Sequence, residues 1–251
     1  MNNLSIDIQN VSFSYPNSTP ILSDISLKIK NGESVAIIGA NGAGKSTLLY
    51  LLAGLLTANS GVIYINGREL TEDSIIDIRS ELGLIFQYSD NQLFLPTVRE
   101  DVSFGPLNQG LSPHMVRERI CNALKSVRAI HLIDKMTHEL SGGEKRSVAI
   151  AGVLAMAPNI LLLDEPSSDL DPSARRSLIT ILAHSPHTKI ITTHDLDLAM
   201  ELCPRIIVLH EGKILADGSS EEIFNNTPLL SKARLEQPLS FLLKQMQKKF
   251  N

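Results

Sequence analysis

The chain has 251 residues, of which 43% are hydrophobic and 20% charged, with 23 Lys and Arg against 27 Asp and Glu for a formal net charge of −4. That is the composition of an ordinary folded protein, so low-complexity and disordered architectures are excluded. The near balance of charge argues against bulk nucleic-acid binding, and no nucleic-acid partner is expected. Two cysteines, Cys121 and Cys203, lie far apart without CxxC spacing. They support neither a disulfide framework nor a zinc ribbon, and they suit a reducing compartment.

The opening stretch MNNLSIDIQN lacks a basic region followed by an apolar run, so no secretory signal is expected. Alternation puts Leu4, Ile6 and Ile8 on one strand face, with Val11, Phe13 and Tyr15 following after a register break. A second alternating run holds Ile25, Leu27 and Ile29. Asn31-Gly32 then reads as a hairpin-type turn into Val35–Ile38, a short strand apolar on both faces and so expected to be central. A glycine-rich loop leads into a helix over Ser46 to Leu55, with strands at Gly61–Ile65 and Leu82–Phe86. Between about 90 and 157 the pattern turns helical. Ser112 is an N-cap with Pro113 in the first helical position and an amphipathic run to Val127; another helix covers 142–156. The longest apolar run, Val148 to Ala157, is half of the roughly 20 residues a bilayer span needs. Beyond it come a strand at Ile160–Leu163, a helix from Pro172, a strand at Lys189–Thr193, a helix from Asp195 and a hairpin turned at Glu211-Gly212. Ser219 and Glu222 form a capping box that opens a helical tail. The order implies an α/β chain: a mostly parallel sheet, an antiparallel flap in front and a helical insertion in the middle.

Residues Gly39-Ala40-Asn41-Gly42-Ala43-Gly44-Lys45-Ser46-Thr47 satisfy G-x-x-x-x-G-K-[ST] between a buried strand and a helix. Its glycines let backbone N–H groups turn around an anion, and the helix aims its positive end there. Lys45 is placed to reach β- and γ-phosphates and the Ser46 hydroxyl to ligate Mg²⁺. The run Ile160–Leu163 ends in Asp164-Glu165, at the strand end where parallel sheets bind ligands. Asp164 is the candidate metal ligand, through water, and Glu165 the candidate general base for an attacking water. A second glycine site, Leu140-Ser141-Gly142-Gly143-Glu144, combines a capping box with two glycines that a cap alone does not require. They permit close approach of another anion: either a second ligand or the same nucleotide held by another subunit.

Together, in this order, the phosphate loop, LSGGE, LLLDEP and His194 within Thr192-Thr193-His194-Asp195 resemble the ATPase subunit of an ABC transporter over essentially the whole chain. The resemblance implies a single domain over 1–251 with a P-loop NTPase core, an N-terminal antiparallel β subdomain, an α-helical insertion at about 90–157 and a helical tail at about 219–251. It implies ATP and Mg²⁺ as cofactors. Tyr15 matches the aromatic that stacks on adenine. Gln87 matches the glutamine that touches Mg²⁺ and the attacking water and links to the membrane partner. Ser141, Gly142 and Gly143 match the signature that contacts the γ-phosphate of ATP on the opposite subunit. Ser168–Asp171 matches the loop passing between subunits, and His194 the γ-phosphate sensor. Two ATP molecules are then sandwiched between head-to-tail subunits, as a homodimer or a heterodimer with a second ABC ATPase. Two positions depart from the pattern: Glu144, where Gln is common, and Asp169, where Ala is usual.

The segment Phe86–Phe94, continuing through Pro96-Thr97-Val98 and Asp101–Pro106, together with Val148–Met156, is similar to the ATPases of energy-coupling factor importers, which take up cobalt, nickel and vitamins. That branch implies a transmembrane coupling subunit, a substrate-binding membrane subunit and a place at the cytoplasmic face of the membrane. The tail, Leu239, Phe241, Leu242 and Leu243 with Lys244, Lys248 and Lys249, is amphipathic and reads as a packing or subunit-contact helix. Rival readings are another ABC importer class, a soluble ABC ATPase of DNA repair or translation, a nucleotide or small-molecule kinase, and a pure binding subunit with a dead site, against which the intact Lys45, Asp164, Glu165 and His194 argue. The soluble ATPases usually carry a coiled-coil insertion or two cassettes, neither of which is in this sequence, and a kinase has no use for LSGGE and His194.

Overall fold

The computed structural model describes residues 3–250, apart from the side chains of Lys244, Lys248, Lys249 and Phe250. The three lysines expected on the polar face of the tail therefore lie outside the described side chains. In chain order the first elements are β1 (Leu4–Phe13), β2 (Leu22–Lys30), β3 (Ser34–Ile38), α1 (Lys45–Leu52), β4 (Ser60–Ile65), β5 (Arg68–Glu69), α2 (Ile75–Glu81) and β6 (Leu82–Ile85). Then come α3 (Val98–Asn108), α4 (Pro113–Ser126), α5 (Gly142–Ala155), β7 (Ile160–Asp164) and α6 (Pro172–Ala183). The rest are β8 (Thr188–Thr193), α7 (Leu196–Leu202), β9 (Arg205–His210), β10 (Lys213–Ser219), α8 (Ser220–Asn225), α9 (Thr227–Lys232) and α10 (Leu239–Phe250). The chain divides into two compact units, Met1–Ile78 with Thr188–Asn251, and Arg79–His187.

The first unit contains an antiparallel sheet in the order β2-β1-β4-β5 and a set of strands in which β3 runs parallel between β8 and β9, with β10 antiparallel on β9. Val35 to Ile38 are fully buried, which is what a strand apolar on both faces requires. Val35, Ile37 and Ile38 each contribute about 1.5–3 kcal/mol on leaving water. The Asn31-Gly32 turn does not make the expected hairpin. β2 pairs with β1, while β3 pairs with β8 and β9, so the turn carries the chain from one sheet to the other. The register break in β1 falls between Ile8 and Val11, where Asn10 adopts φ 50° and donates from Nδ2 to Asp24 Oδ1 at 2.8 Å. Arg205 on β9 ties the two sheets. Its Nη1 donates to Lys28 O on β2 and to Glu33, and Nε and Nη2 grip Asp217 on β10 at 2.7 Å each. This bidentate bond to Asp217 is the main reason the guanidinium holds its proton more firmly than usual.

In the second unit β6 and β7 are parallel neighbours, with Leu82 beside Ile160 and Ile85 beside Leu163. Helices α3 and α4 both pack on α5. α3 falls in the stretch read as helical, where no bounds are assigned to it, and it contains Gly105-Pro106. It is opened by a capping box between Thr97 and Glu100. Asp101, in its first turn and buried, accepts the N–H groups of Phe94 and Leu95, both at 2.9 Å.

Candidate functional site

In the first unit, residues 39–44 connect the C-terminal end of β3 to the start of α1. Gly44, the N-cap, sits at φ 103°, and a Cβ there would lie 2.7 Å from Leu22 Cδ2, so neither the backbone angle nor the space admits a side chain. The leading N–H groups of α1 therefore stay directed at the loop without a side-chain cap. Gly39, Ala43, Gly44, Lys45 and Thr47 are buried, Ser46 is half-buried, and Asn41 and Gly42 are exposed. Lys45 Nζ donates to Gly39 O at 2.8 Å and to Ala40 O at 3.3 Å, which holds its charge at the mouth of the loop. Because Ile38 is in register with Thr193 on β8, Gly39 and His194 leave adjacent strands at the same sheet edge. His194 is exposed there, and Asp195 caps α7 by accepting from Leu198 N–H. Tyr15 lies two residues beyond β1. The residue is 42% exposed, and its ring stands edge-on against Phe13, with centroids 4.9 Å apart. Ile21 and Leu22, past the turn that carries Tyr15, abut Gly44. This unit thus brings the phosphate loop, His194 and the turn of Tyr15 to one region.

In the second unit the β6–β7 ladder runs to Ile85 beside Leu163, so Phe86-Gln87 and Asp164-Glu165 follow at the same end of neighbouring strands. Asp164 is 1% exposed and Glu165 6%. Glu165 adopts a left-handed backbone (φ 44°), an uncommon state for a residue with a Cβ, found where surrounding structure imposes it and clustered at functional sites. Its carbonyl accepts Ser168 N–H at 3.1 Å as the chain turns.

The signature begins α5. The Ser141 hydroxyl accepts Glu144 N–H and donates to Glu144 Oε2 at 2.9 Å, while Ser141 N–H donates to the same oxygen at 2.8 Å. These bonds, that from the backbone foremost, hold the Glu144 carboxyl below its ordinary pKa, with Lys135 at 3.3 Å adding to them. Glu144 thus fills the reciprocal place in the capping box, which gives this departure a structural role. Gly143 has a separate reason: a Cβ would lie 3.2 Å from Ala174 Cβ on α6.

One residue that motif reading missed joins these parts. Arg146, 3% exposed on α5, donates from Nη1 to Phe86 O at 2.7 Å and from Nη2 to Gln87 O. Burial pushes its guanidinium pKa down, and the Asp169 charge opposes that shift. Asp169 itself sits at φ 61°. The departure at 169 therefore supplies a carboxylate that faces a buried cation. No spacing rule marks Arg146; its position two residues after Glu144 was the only available signal. Within this unit Gln87, Asp164 and Glu165 meet at one edge, and Arg146 fastens the signature helix to the Gln87 segment.

Among the described residues no cluster of three or more His, Cys, Asp or Glu forms a metal cage, and no helix is long and apolar enough to cross a membrane. The family described as ABC transporter matches residues 22–168. The chain is 50% identical over 235 residues to an ABC transporter ATP-binding protein of Geobacter sulfurreducens, covering 94% of each. It is 43% identical over 238 residues to an energy-coupling factor transporter ATP-binding protein of Methanothermobacter thermautotrophicus, covering 93% of this chain and 76% of that protein. Among solved structures it resembles cbiO1 of Clostridium perfringens, described as part of the ABC transporter complex cbiONQ, with a TM-score of 0.83, 37% identity and coverage of 98% and 100%. An α/β fold with antiparallel and mixed sheets, a phosphate loop, a strand-end carboxylate pair and these relatives identify the chain as a member of the ABC transporter family, an ATP-binding subunit that hydrolyses ATP.

Proposed function

We propose that the chain is the ATPase of an energy-coupling factor type importer and drives uptake of a metal ion, cobalt or nickel, or of a vitamin. The observation that carries this branch is the similarity, over nearly the whole chain, to an ATP-binding protein named for that transporter class. The surface after Gln87 supports it. Tyr88 (54% exposed), Phe94 (63%), Phe104 and Leu107 present apolar side chains from this stretch and from α3, and Phe94 stands edge-on to Phe104 at 4.9 Å. Exposed aromatics of this kind suit a protein partner, here helices of a transmembrane coupling subunit, with a separate membrane subunit selecting the cargo. The chain then works at the cytoplasmic face of the membrane.

In this reading the N–H groups of residues 39–47 hold the phosphates of ATP, Lys45 reaches the β- and γ-oxygens, and Tyr15 stacks on adenine. Ser46, Gln87 and Asp164 offer a hydroxyl, an amide oxygen and a carboxylate. This all-oxygen donor set suits Mg²⁺, which keeps most of its other sites for phosphate and water. When bound, the ion neutralises charge on the β- and γ-oxygens. Glu165 takes the proton of the attacking water, and His194 contacts the γ-phosphate. Ser141, Gly142 and Gly143 serve the ATP of the opposite subunit, which is either a second copy or a related cassette. ATP bridges the two subunits, and loss of the γ-phosphate lets them part.

Glu165→Gln tests the chemistry. This variant is expected to bind ATP and accumulate as a closed dimer, with hydrolysis lowered by about 10²–10⁴. Hydrolysis at the wild-type rate would remove Glu165 from the role of base. Affinity isolation of the tagged chain from native membranes tests the branch. An integral membrane coupling protein should accompany the wild type and be lost from Phe94→Asp, and retention by the variant rules out the aromatic surface.

A further inference from the structure

Helices α5 and α6 touch at one end and part at the other. Their N-terminal ends meet at Gly143 and Ala174. Towards their C-terminal ends the space between them, with α4 and β7 at its sides, opens into a cavity of about 820 Å³. That volume is typical of small-molecule sites. Ile150 and Leu154 of α5, Leu161 of β7 and Ile181 of α6 supply an apolar wall. Arg119 of α4 and Arg128, just beyond that helix, line the same cavity, and no Asp or Glu does. Neither guanidinium has a hydrogen bond or ion pair among the described residues. Arg128 holds a left-handed backbone at φ 58°, a place after a helix where Gly is the usual residue. Of the carbonyls near the helix ends, Leu124 O accepts Ala129 N–H and Thr180 O accepts from His184 Nδ1. The charge that faces the cavity without a counterpart is therefore positive.

We propose that this cavity is a regulatory site for a small amphiphilic acid. Its oxyanion head is held by Arg119 and Arg128, whose planar forks match a carboxylate or phosphate. Its apolar body lies against Ile150, Leu154, Leu161 and Ile181. A molecule wedged there sets the splay of α5 against α6. The regulatory part rests on the function proposed above, because the touching ends of these helices carry Ser141–Gly143 and follow the Ser168–Asp171 loop.

Calorimetric titration of the full chain with octanoate, octyl phosphate and neutral 1-octanol tests the site. One or both anions should bind saturably, one per chain, and whichever binds more tightly identifies the head group. Arg119→Gln and Arg128→Gly should each weaken binding at least tenfold. Arg128→Gly also relieves the left-handed backbone, so its melting temperature should hold or rise, which separates lost binding from lost folding. Octanol binding as tightly as the anions, unchanged binding by both arginine variants, or no saturable binding at millimolar ligand overturns the site. In the assembled transporter the bound anion should change ATP turnover at least threefold in wild type and not in Arg128→Gly. Unchanged turnover with ligand bound overturns the regulatory part. Absence of any turnover counts against the ATPase reading itself, while the calorimetry still decides the site.

Discussion

Ser141 is both a helix cap and, in the proposed function, a phosphate contact, and the chain contains its own control for separating the two. The capping boxes at Ser141/Glu144 and Ser219/Glu222 are nearly superposable in bonding. The N3 N–H reaches the serine hydroxyl at 3.4 and 3.2 Å, the cap N–H reaches the glutamate at 2.8 and 2.9 Å, and the hydroxyl reaches it at 2.9 and 2.8 Å. Ser141→Ala removes the acceptor for Glu144 N–H, at a cost of about 1 kcal/mol. For a chain of this size that lowers Tm by about 2–4 °C, and Ser219→Ala should lower it by a similar amount. In both boxes the serine bonds depress the glutamate pKa below its ordinary 4.5. That stabilisation is complete above pH 4.5 and fades as pH falls through the lowered folded-state value, so each difference in Tm should shrink as pH drops below 4.5. Turnover separates the pair. Loss of one preorganised donor at the γ-phosphate lowers hydrolysis about a hundredfold, so Ser141→Ala should lose about that much while Ser219→Ala keeps wild-type turnover. Equal turnover in the two variants at matched stability would show that Ser141 is a cap and nothing more.

Arg146→Met should cost about 2–4 kcal/mol in urea unfolding, because two charge-assisted bonds to Phe86 O and Gln87 O are lost and only part of that is offset by removing a buried charge. Combined with Asp169→Ala in a double-mutant cycle, it should give a coupling of about 0.5–2 kcal/mol; strict additivity would mean that Asp169 does not act on Arg146. Cys203 is buried, and its thiol is pushed up to about 12, whereas Cys121 is partly exposed. A thiol reagent at pH 8 should therefore count one group in the native chain and two in denaturant. Two fast-reacting thiols in the native chain would contradict the burial of Cys203.

The parts of this fold that were legible in the sequence are those where local chemistry and long-range packing agree. Val35–Ile38 is apolar on both faces and lies between two parallel strands. Ser112-Pro113 and Ser219…Glu222 start helices where cap chemistry says they should. Legibility failed where they disagree. Asn31-Gly32 has the residues of a hairpin, yet the strand after it is too apolar to stay at a sheet edge and leaves for β8 and β9. Gly105-Pro106 has the residues of a break, yet α3 runs through it. Gly105 is so close to Met156 that a Cβ would meet Cγ at 2.4 Å, so packing against the end of α5 decides the matter. At the site, motifs marked the residues to which the proposed function gives a chemical task, such as Lys45, Asp164 and Glu165. They did not mark Arg146, which acts through backbone carbonyls that no side-chain pattern records.

The central claim is that each chain supplies half of every working ATP site. It is tested most directly by measuring ATP turnover per chain across a dilution series, with association state followed in the same samples by sedimentation. Turnover per chain should rise with concentration, or with added partner cassette, in step with dimer, and fall towards zero when only monomer remains. Full-rate hydrolysis by a preparation sedimenting solely as monomer would contradict it.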